Sequence, residues 1–258
     1  MTVHYESVHP DALYPDAFHV AAPETPVGRD LWPRKMGVFI RKVQEALPPQ
    51  ELPPELPQEP PQALPESGEP TEPTEPAEPT LAAPGAPERE KPALELAMGQ
   101  FGLVPPWVKS VSDAKLRSTK LVNARTEIVS TSNNFRGTWL SAQRCIVPMT
   151  AFFADDWRSG KPVPTRITRV DGKPMGVAGL WERWTGAEGD TIVSFTLLTV
   201  NANSHALMRR YEQNGHEKRM PAVLNEGAYD AWLTAHPAKA REFMRAYPAN
   251  WLTANPVV

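Results

Sequence analysis

Two adjacent carboxylates in this sequence are of the residue type that acid–base chemistry requires. Asp155 and Asp156 follow two phenylalanines and precede Trp157 in the stretch AFFADDW (151–157). A carboxylic acid whose pKa is raised by an apolar environment can transfer protons near neutral pH. The alternative is a turn in which both carboxylates face water, and we expect this solvated turn.

Polar and aromatic residues that suit a nucleic acid recur along the chain. LVNARTE (121–127) places Asn123, Arg125 and a carboxylate within five residues, and a guanidinium fork suits phosphate. FGLVPPW presents Trp107, and NNFRGTW sets Arg136 beside two aromatic residues. Aromatic rings that stack on bases, interleaved with arginines for phosphates, are what single-stranded nucleic acid binding requires. The alternatives are a polar turn with a surface ion pair, and tryptophans that belong to the core.

Metal and nucleotide chemistry find no support in the sequence. The six histidines show no paired ligand spacing, and the single cysteine, Cys145, lies in the apolar stretch QRCIVP. No glycine loop of the kind that cradles phosphates is present. We therefore expect no metal, no cofactor and no disulfide, and we expect Cys145 to be a buried apolar residue rather than a nucleophile.

The elements that must position these side chains are mostly strands. Short β-branched or aromatic runs bounded by Gly, Pro, Asp or Asn predict strands in RCIVPMTAFFA, PTRITRV, MGVAGLWERW and IVSFTLLTVNA. Asp171-Gly172 predicts a hairpin turn between two of them. Helices are predicted in TWLSAQR, SHALMRRY, EGAYDAWLTA and AKAREFMRAY. Because strands outnumber helices and do not alternate with them, we predict an α+β domain of curled, mainly antiparallel sheets with peripheral helices.

Residues 48–88 differ sharply from the rest of the chain. They hold fourteen of the 30 prolines and nine glutamates, with no Lys, Arg or Asp. Proline blocks helix and sheet hydrogen bonding, and like charges extend such a segment. We predict a disordered Pro/Glu-rich insertion over 48–92, inside a single domain that spans 1–258 and to which the first 40 or so residues contribute.

The negative charge of the insertion offsets a positive net charge on the rest of the chain. Because the whole chain carries a net charge of −3 and residues 48–88 carry −9, the remainder carries +6. This excess permits a polyanionic partner. The insertion itself has three alternative roles: a ligand for a protein partner, an internal mimic of DNA, or a tolerated surface segment.

No membrane or secretion signal is evident. The sequence has no apolar run of about 18 residues, and MTVHYESVHP lacks the basic-then-apolar pattern of a signal peptide. We expect a cytoplasmic monomer that does not contact a membrane.

Seven motifs, taken in order, resemble the SRAP family (SOS response-associated peptidase-like, abasic-site processing proteins). They are GLVPPW, NARxE, FR, RCIVP, AGLWE, LTxxAN and KRMP. The resemblance covers 98–233 continuously, with 1–45 as the first part of the domain. It implies a β-rich α+β domain with a groove for single-stranded DNA and a role at abasic sites in the DNA damage response. It also implies an N-terminal cysteine, exposed by removal of the initiator Met, whose amine and thiol close a thiazolidine on the ring-opened sugar. In some members the same cysteine is credited with self-cleavage.

The resemblance assigns catalytic positions that this chain has largely replaced. Thr2 stands where the family has its cysteine, Ala154 where it has a glutamate, and Glu212 where it has a histidine. Asn123 matches the family pattern, and His216 lies four residues after Glu212 as a possible substitute.

The positions that the resemblance assigns to DNA binding are mostly retained. They are His4, where the family has an arginine, Trp107, Asn123, Arg125, Arg136, Thr199 and Arg219. The upstream element that usually ends in Ala-Pro reads Met36-Gly37-Val38 here.

The leading hypothesis is a degenerate SRAP-like protein, because a threonine hydroxyl is scarcely ionised at neutral pH and cannot close a sulfur ring. It would bind single-stranded DNA or abasic sites without crosslinking or autopeptidase activity. One alternative is a residual lyase, in which the Thr2 α-amine, with an ordinary pKa of roughly 7.7–8.0, forms a Schiff base with the sugar aldehyde. Another is an interaction protein that acts through the insertion.

Overall fold

The computed structural model describes residues 3–43, 92–213 and 215–257. Thr2 lies outside the described residues, and so does the predicted insertion at 48–92 apart from Pro92. Among the helices of these three ranges, none is both long and apolar enough to cross a membrane.

Strands dominate the structure, as the sequence pattern predicts. They are β1 Tyr5–Glu6, β2 Asp30–Leu31, β3 Met36–Lys42, β4 Leu94–Phe101, β5 Asn123–Arg125, β6 Arg144–Met149, β7 Ala151–Asp156, β8 Val163–Arg169, β9 Met175–Thr185, β10 Thr191–Asn201, β11 Arg219–Pro221, β12 Val223–Leu224 and β13 Leu252–Pro256. The α-helices are α1 Leu13–Phe18, α2 Val111–Ser118, α3 Arg136–Leu140 and α4 Tyr229–Thr234. Single 3₁₀ turns occupy Met208–Arg210, Glu226–Ala228, Ala240–Phe243 and Ala249–Trp251.

The larger sheet closes on itself. Its strands follow the order β11-β10-β4-β3-β6-β9-β12, and β9 also pairs with β10, so β10, β4, β3, β6 and β9 form a ring. Strand β3 pairs with β4 along its whole length, which makes residues before the insertion part of this ring. Most pairs are antiparallel, and β10 pairs in parallel with β4 and β5. The predicted α+β class with mainly antiparallel sheets is confirmed.

The smaller sheet carries the N-terminal strand. Its order is β13-β8-β7-β1-β2, and all its pairs are antiparallel. The predicted Asp171-Gly172 hairpin is therefore wrong. The turn exists, with Gly172 at φ 72°, but it joins β8 of the smaller sheet to β9 of the larger one. Turn chemistry fixes the local reversal and does not decide which strands pair.

Two predicted helices shrink to single 3₁₀ turns. In SHALMRRY only Met208–Arg210 is helical, and in AKAREFMRAY only Ala240–Phe243. His205 lies at the start of the first turn, where its Nδ1 accepts the Met208 backbone N–H at 2.9 Å. A side chain that accepts from the N–H three residues on acts as a cap, which fixes where the turn begins.

Aromatic side chains fill the interior of the strand ring. Phe39 packs on Trp181 and Phe195, and Phe195 packs on Phe101, with ring centroids 5.5–5.9 Å apart. Such pairs add favourable geometry to the burial of large apolar surfaces. The interior of the ring is thus a packed core.

Candidate functional site

One cleft collects residues from both sheets. Its volume is about 290 Å³. The residues that line it come from the segment before β1, the β2–β3 turn, β7, β8, the loop after the Met208–Arg210 turn, and β11: Val3, His4, Trp32, Phe153, Ala154, Asp155, Pro164, Tyr211, Glu212 and Arg219. Four predicted site positions, His4, Ala154, Glu212 and Arg219, are therefore brought together.

A stack of three rings forms one wall of the cleft. The His4 imidazole lies between Trp32 and Phe153, with centroid distances of 4.1 and 4.0 Å and interplanar angles of 10° and 8°. Nε2 of His4 lies 2.8 Å from Oδ1 of Asp30, which fixes the ring in its plane. His4 is thus an ordered part of an aromatic wall rather than a mobile substitute for the family's arginine.

Glu212 enters the cleft on a strained backbone. Its φ is 75°, a left-handed conformation that non-glycine residues rarely adopt. The Glu212 N–H donates to Asp155 O at 3.0 Å, and Lys218 Nζ donates to Glu212 O at 2.9 Å, so the loop is tied on both sides. Burial opposes ionisation of Glu212, but surrounding positive charge, including His216 and Lys218, holds its pKa below the usual value. The side chain is therefore an anion at neutral pH.

Arg219 also lines the cleft. Its side chain is only 1% exposed. Nε donates to Thr199 Oγ1 at 3.0 Å and Nη2 to Thr199 O at 2.6 Å, while Glu127 and Glu217 accept at 2.8 and 2.6 Å. Thr199 is itself buried. Its place in the structure is thus to hold Arg219, and it offers little surface for a DNA contact.

Glu217 joins two arginines and was missed by the sequence analysis. It accepts from Arg219, lies 3.0 Å from Nη1 of Arg125, and accepts from Asn201 Nδ2 at 2.9 Å. Burial opposes ionisation, but these donors lower its pKa overall. Asn123 lies two residues before Arg125 in β5, on the same side of that strand. The one carboxylate directly before two basic residues in HEKRMP (216–221) was the available signal for Glu217.

Trp107 and Arg136 lie on another part of the surface. Trp107 is 43% exposed and donates from Nε1 to Asn133 O at 3.1 Å, which brings it beside the segment that leads into Arg136. The guanidinium of Arg117 covers its ring at 4.7 Å. Neither Trp107 nor Arg136 lines the cleft. A strand of DNA that contacts both places must follow the surface between them.

The remaining acid–base candidates do not form a catalytic pair. Asp155 and Asp156 end strand β7, so the expected solvated turn is wrong. Asp155 is exposed at the cleft, whereas Asp156 is paired with Arg158, whose hydrogen bonds lower its pKa. His216 is exposed and does not line the cleft.

The only thiol in the sequence is buried and does not line the cleft. Cys145 is fully buried in β6, and burial raises the pKa of its thiol well above the usual value. A side chain at Gly179, on the neighbouring strand, would lie 2.9 Å from its Sγ, so the packing around it is close. Within residues 3–43, 92–213 and 215–257, no three His, Cys, Asp or Glu side chains form a group that would hold a metal ion.

Comparison with known proteins identifies the family. The family described as SOS response associated peptidase (SRAP) matches residues 43–258. The abasic site processing protein YoqW of Bacillus subtilis is 31% identical over 161 residues, which are 60% of this chain and 66% of that protein. The chain thus spans slightly under two thirds of that relative's length.

Two solved structures share the fold. A crystal structure of a protein from Bordetella bronchiseptica is 36% identical, with a TM-score of 0.75 over 99% of both chains. One from Bacteroides thetaiotaomicron is 26% identical, with a TM-score of 0.58 over 64% of this chain and 70% of the other. Because the family match covers well over half of the sequence, this chain belongs to the SRAP family.

Proposed function

We propose that this protein binds abasic sites in single-stranded DNA without capturing them covalently. One observation carries the proposal: His4, Ala154, Glu212 and Arg219, which the SRAP resemblance assigns to catalysis and DNA contact, line the same cleft. The name of the Bacillus subtilis relative, an abasic site processing protein, points to the same class of substrate.

Charge supports a nucleic-acid ligand. The chain outside residues 48–88 carries a formal charge of +6. Arg125, 47% exposed in its side chain, is available at the surface beside the cleft, and phosphate competes well for such a guanidinium. The proposed path runs from Arg125 past Arg219 into the cleft.

The loss of covalent chemistry follows from the groups that are missing. Closing a thiazolidine needs a thiolate and an amine at the aldehyde, and Cys145 is sealed in the core. Ala154 contributes a methyl group where the family has a carboxylate. Glu212, held as an anion, lacks the proton that a histidine could donate.

The test compares binding with capture. A labelled single-stranded oligonucleotide carrying one abasic site is titrated with the protein and followed by fluorescence anisotropy, and the same samples are then heated in detergent and run on a denaturing gel. We expect saturable binding and no heat-resistant adduct. A duplex of the same sequence and a strand without the lesion serve as controls. A heat-resistant adduct at the level of binding would refute the non-covalent part, and absence of binding would refute the whole proposal.

A second candidate is a transient Schiff base through the chain's α-amine. The observation that favours it is that Val3, the first residue that the structure describes, lines the cleft. Proton abstraction next to such an imine would cut the strand by β-elimination, with release of the 3′-phosphate. Borohydride should then trap an adduct that is absent without reductant. If borohydride traps nothing while binding persists, this candidate is excluded.

A further inference from the structure

The turn between β2 and β3 projects into solvent beside the cleft. Lys35 N–H donates to Trp32 O at 3.0 Å, with Pro33 second and Arg34 third in the turn. Arg34 has φ 71°. Proline followed by a residue of positive φ is the signature of a type II turn, whose third position normally takes glycine. An arginine stands here instead, and its side chain is exposed.

The turn is fixed to the body of the protein. Arg34 N–H donates to Phe101 O at 2.7 Å, and Phe101 N–H donates to Lys35 O at 2.9 Å. These two bonds hold the strained conformation in place. A disfavoured backbone that persists at the rim of a site suggests that its side chain is used there.

Trp32 offers a preorganised flat surface. It is 46% exposed although one of its faces is covered by His4 at 4.1 Å. Behind His4 lies Phe153, and Asp30 holds the His4 ring through its hydrogen bond. The exposed area of Trp32 therefore belongs to its other face and its edges, and the supporting rings remove the cost of ordering it on binding.

We propose that the turn Trp32–Lys35 is a binding element for single-stranded nucleic acid. A nucleobase stacks on the outer face of Trp32, and Arg34 takes the phosphate of that nucleotide or its neighbour. Base–aromatic stacking tolerates any base, and a guanidinium fork suits phosphate. The inference rests on the proposed function and deepens it, since it places an intact base next to the cleft that holds the abasic sugar.

The first experiment isolates the stacking contact. Trp251 is 47% exposed, so Trp251→Ala is a control matched in residue type and exposure. We expect Trp32→Ala to weaken binding of single-stranded DNA about tenfold, Trp32→Phe to recover most of the loss, and Trp251→Ala to bind as wild type. Stacking releases no counterions, so the slope of log Kobs against log salt should not change in Trp32→Ala.

The second experiment isolates the phosphate contact. Arg34→Gly suits the backbone better, so its melting temperature should rise, while its affinity falls and its salt slope decreases by about 0.7. A lower affinity in a more stable protein cannot be ascribed to misfolding. If Arg34→Gly keeps the wild-type affinity and slope, the phosphate contact is refuted.

The outcomes separate the two proposals. If wild type does not bind single-stranded DNA, the proposed function fails. If wild type binds and Trp32→Ala binds equally well, the proposed function stands and the stacking inference is overturned. Thermal melts establish whether Trp32→Ala is folded. If it is not, Trp32→Leu, which keeps an apolar side chain on His4 but no ring for a base, decides the case: the inference requires the same loss of affinity, and wild-type affinity overturns it.

Discussion

The two sides of the cleft are held together by different kinds of interaction. The polar side consists of Arg219, which lines the cleft, and of the residues joined to it directly or through Glu217 by ion pairs and hydrogen bonds of 2.6–3.0 Å: Arg125, Glu127, Glu217 and Thr199. The aromatic side consists of His4, Trp32, Phe153, Ala154 and Glu212, held by ring stacking and backbone hydrogen bonds. Four of the five residues of the polar side match the SRAP pattern, Glu217 being the one that the pattern did not mark, whereas the departures at His4, Ala154 and Glu212 fall on the aromatic side.

This difference has a physical reason. On the polar side each charged group is paired with a group of opposite charge. A single replacement therefore leaves its partner unpaired and substantially lowers the free energy of unfolding. On the aromatic side, the backbones of Ala154 and Glu212 take part in the fold, in the β7–β8 ladder and in the bond to Asp155. Side chains with chemical roles can change there without loss of the fold. The ion-pair network that the fold depends on and the side-chain positions that the resemblance assigns to catalysis are thus separable.

The largest effect should come from breaking the polar side. Arg219→Ala removes four hydrogen-bonding contacts from a side chain that is 1% exposed, and should lower the free energy of unfolding by about 3 kcal/mol. Urea denaturation measures the change. Arg136→Ala, at an exposed position outside this network, is the control and should change stability by less than about 0.5 kcal/mol. Equal stability of the two variants would show that the network does not constrain the polar side.

A smaller effect should come from the strand beneath the aromatic side. The hydrogen bonds from Arg166 to Glu6, each 2.7 Å, lower the pKa of Glu6 despite its burial. Glu6→Gln should cost about 2 kcal/mol at neutral pH. Because the folded-state pKa is depressed, this stability is present above the unfolded pKa of about 4.3 and is lost as the pH falls through the folded value.

The pH dependence gives the check. Unfolding free energies of wild type and Glu6→Gln, measured from neutral pH downward, should begin to converge at about the unfolded pKa of 4.3 and should meet only below the depressed folded-state pKa. A difference that stays constant into strong acid would mean that the carboxylate charge is not what holds β1 to β8.

The smallest effect should come from removing the carboxylate that pairs with Arg125 on the polar side. Glu217 competes with phosphate for Arg125, so Glu217→Gln should raise the affinity for single-stranded DNA about threefold at low salt. Glu242→Gln removes an equal charge from an exposed pair with Lys239 and should have little effect. An equal gain in both variants would point to net charge alone, and no gain in either would place the phosphate elsewhere.

The class of fold and several of the residues that line the cleft could be predicted from the sequence. Features that depend on contacts between residues distant in the sequence could not. Short β-branched runs were sufficient for the strands, because period and composition are local. The stacking of His4 between Trp32 and Phe153 depends on the pairing of β1 with both β2 and β7, which no local pattern reveals. The burial of Thr199, predicted as a DNA contact, follows from its place in the central strand β10, paired with β5 and β11. The motifs show that the polar side matches the SRAP pattern and that the departures fall on the aromatic side. The reason for this difference is visible only in the contacts of the structure.

The most direct test of this separation is to restore the missing thiol. Thr2→Cys, with removal of Met1 verified by mass spectrometry, is incubated with abasic single-stranded DNA beside wild type and Thr2→Ser, and heat-resistant adducts are quantified. An intact cleft predicts an adduct with Thr2→Cys only, since an α-amine and a thiol on one residue can close the ring on an aldehyde held nearby, at a rate lowered by the replacements at Ala154 and Glu212. An equal adduct in wild type, or none in processed Thr2→Cys, would contradict the account.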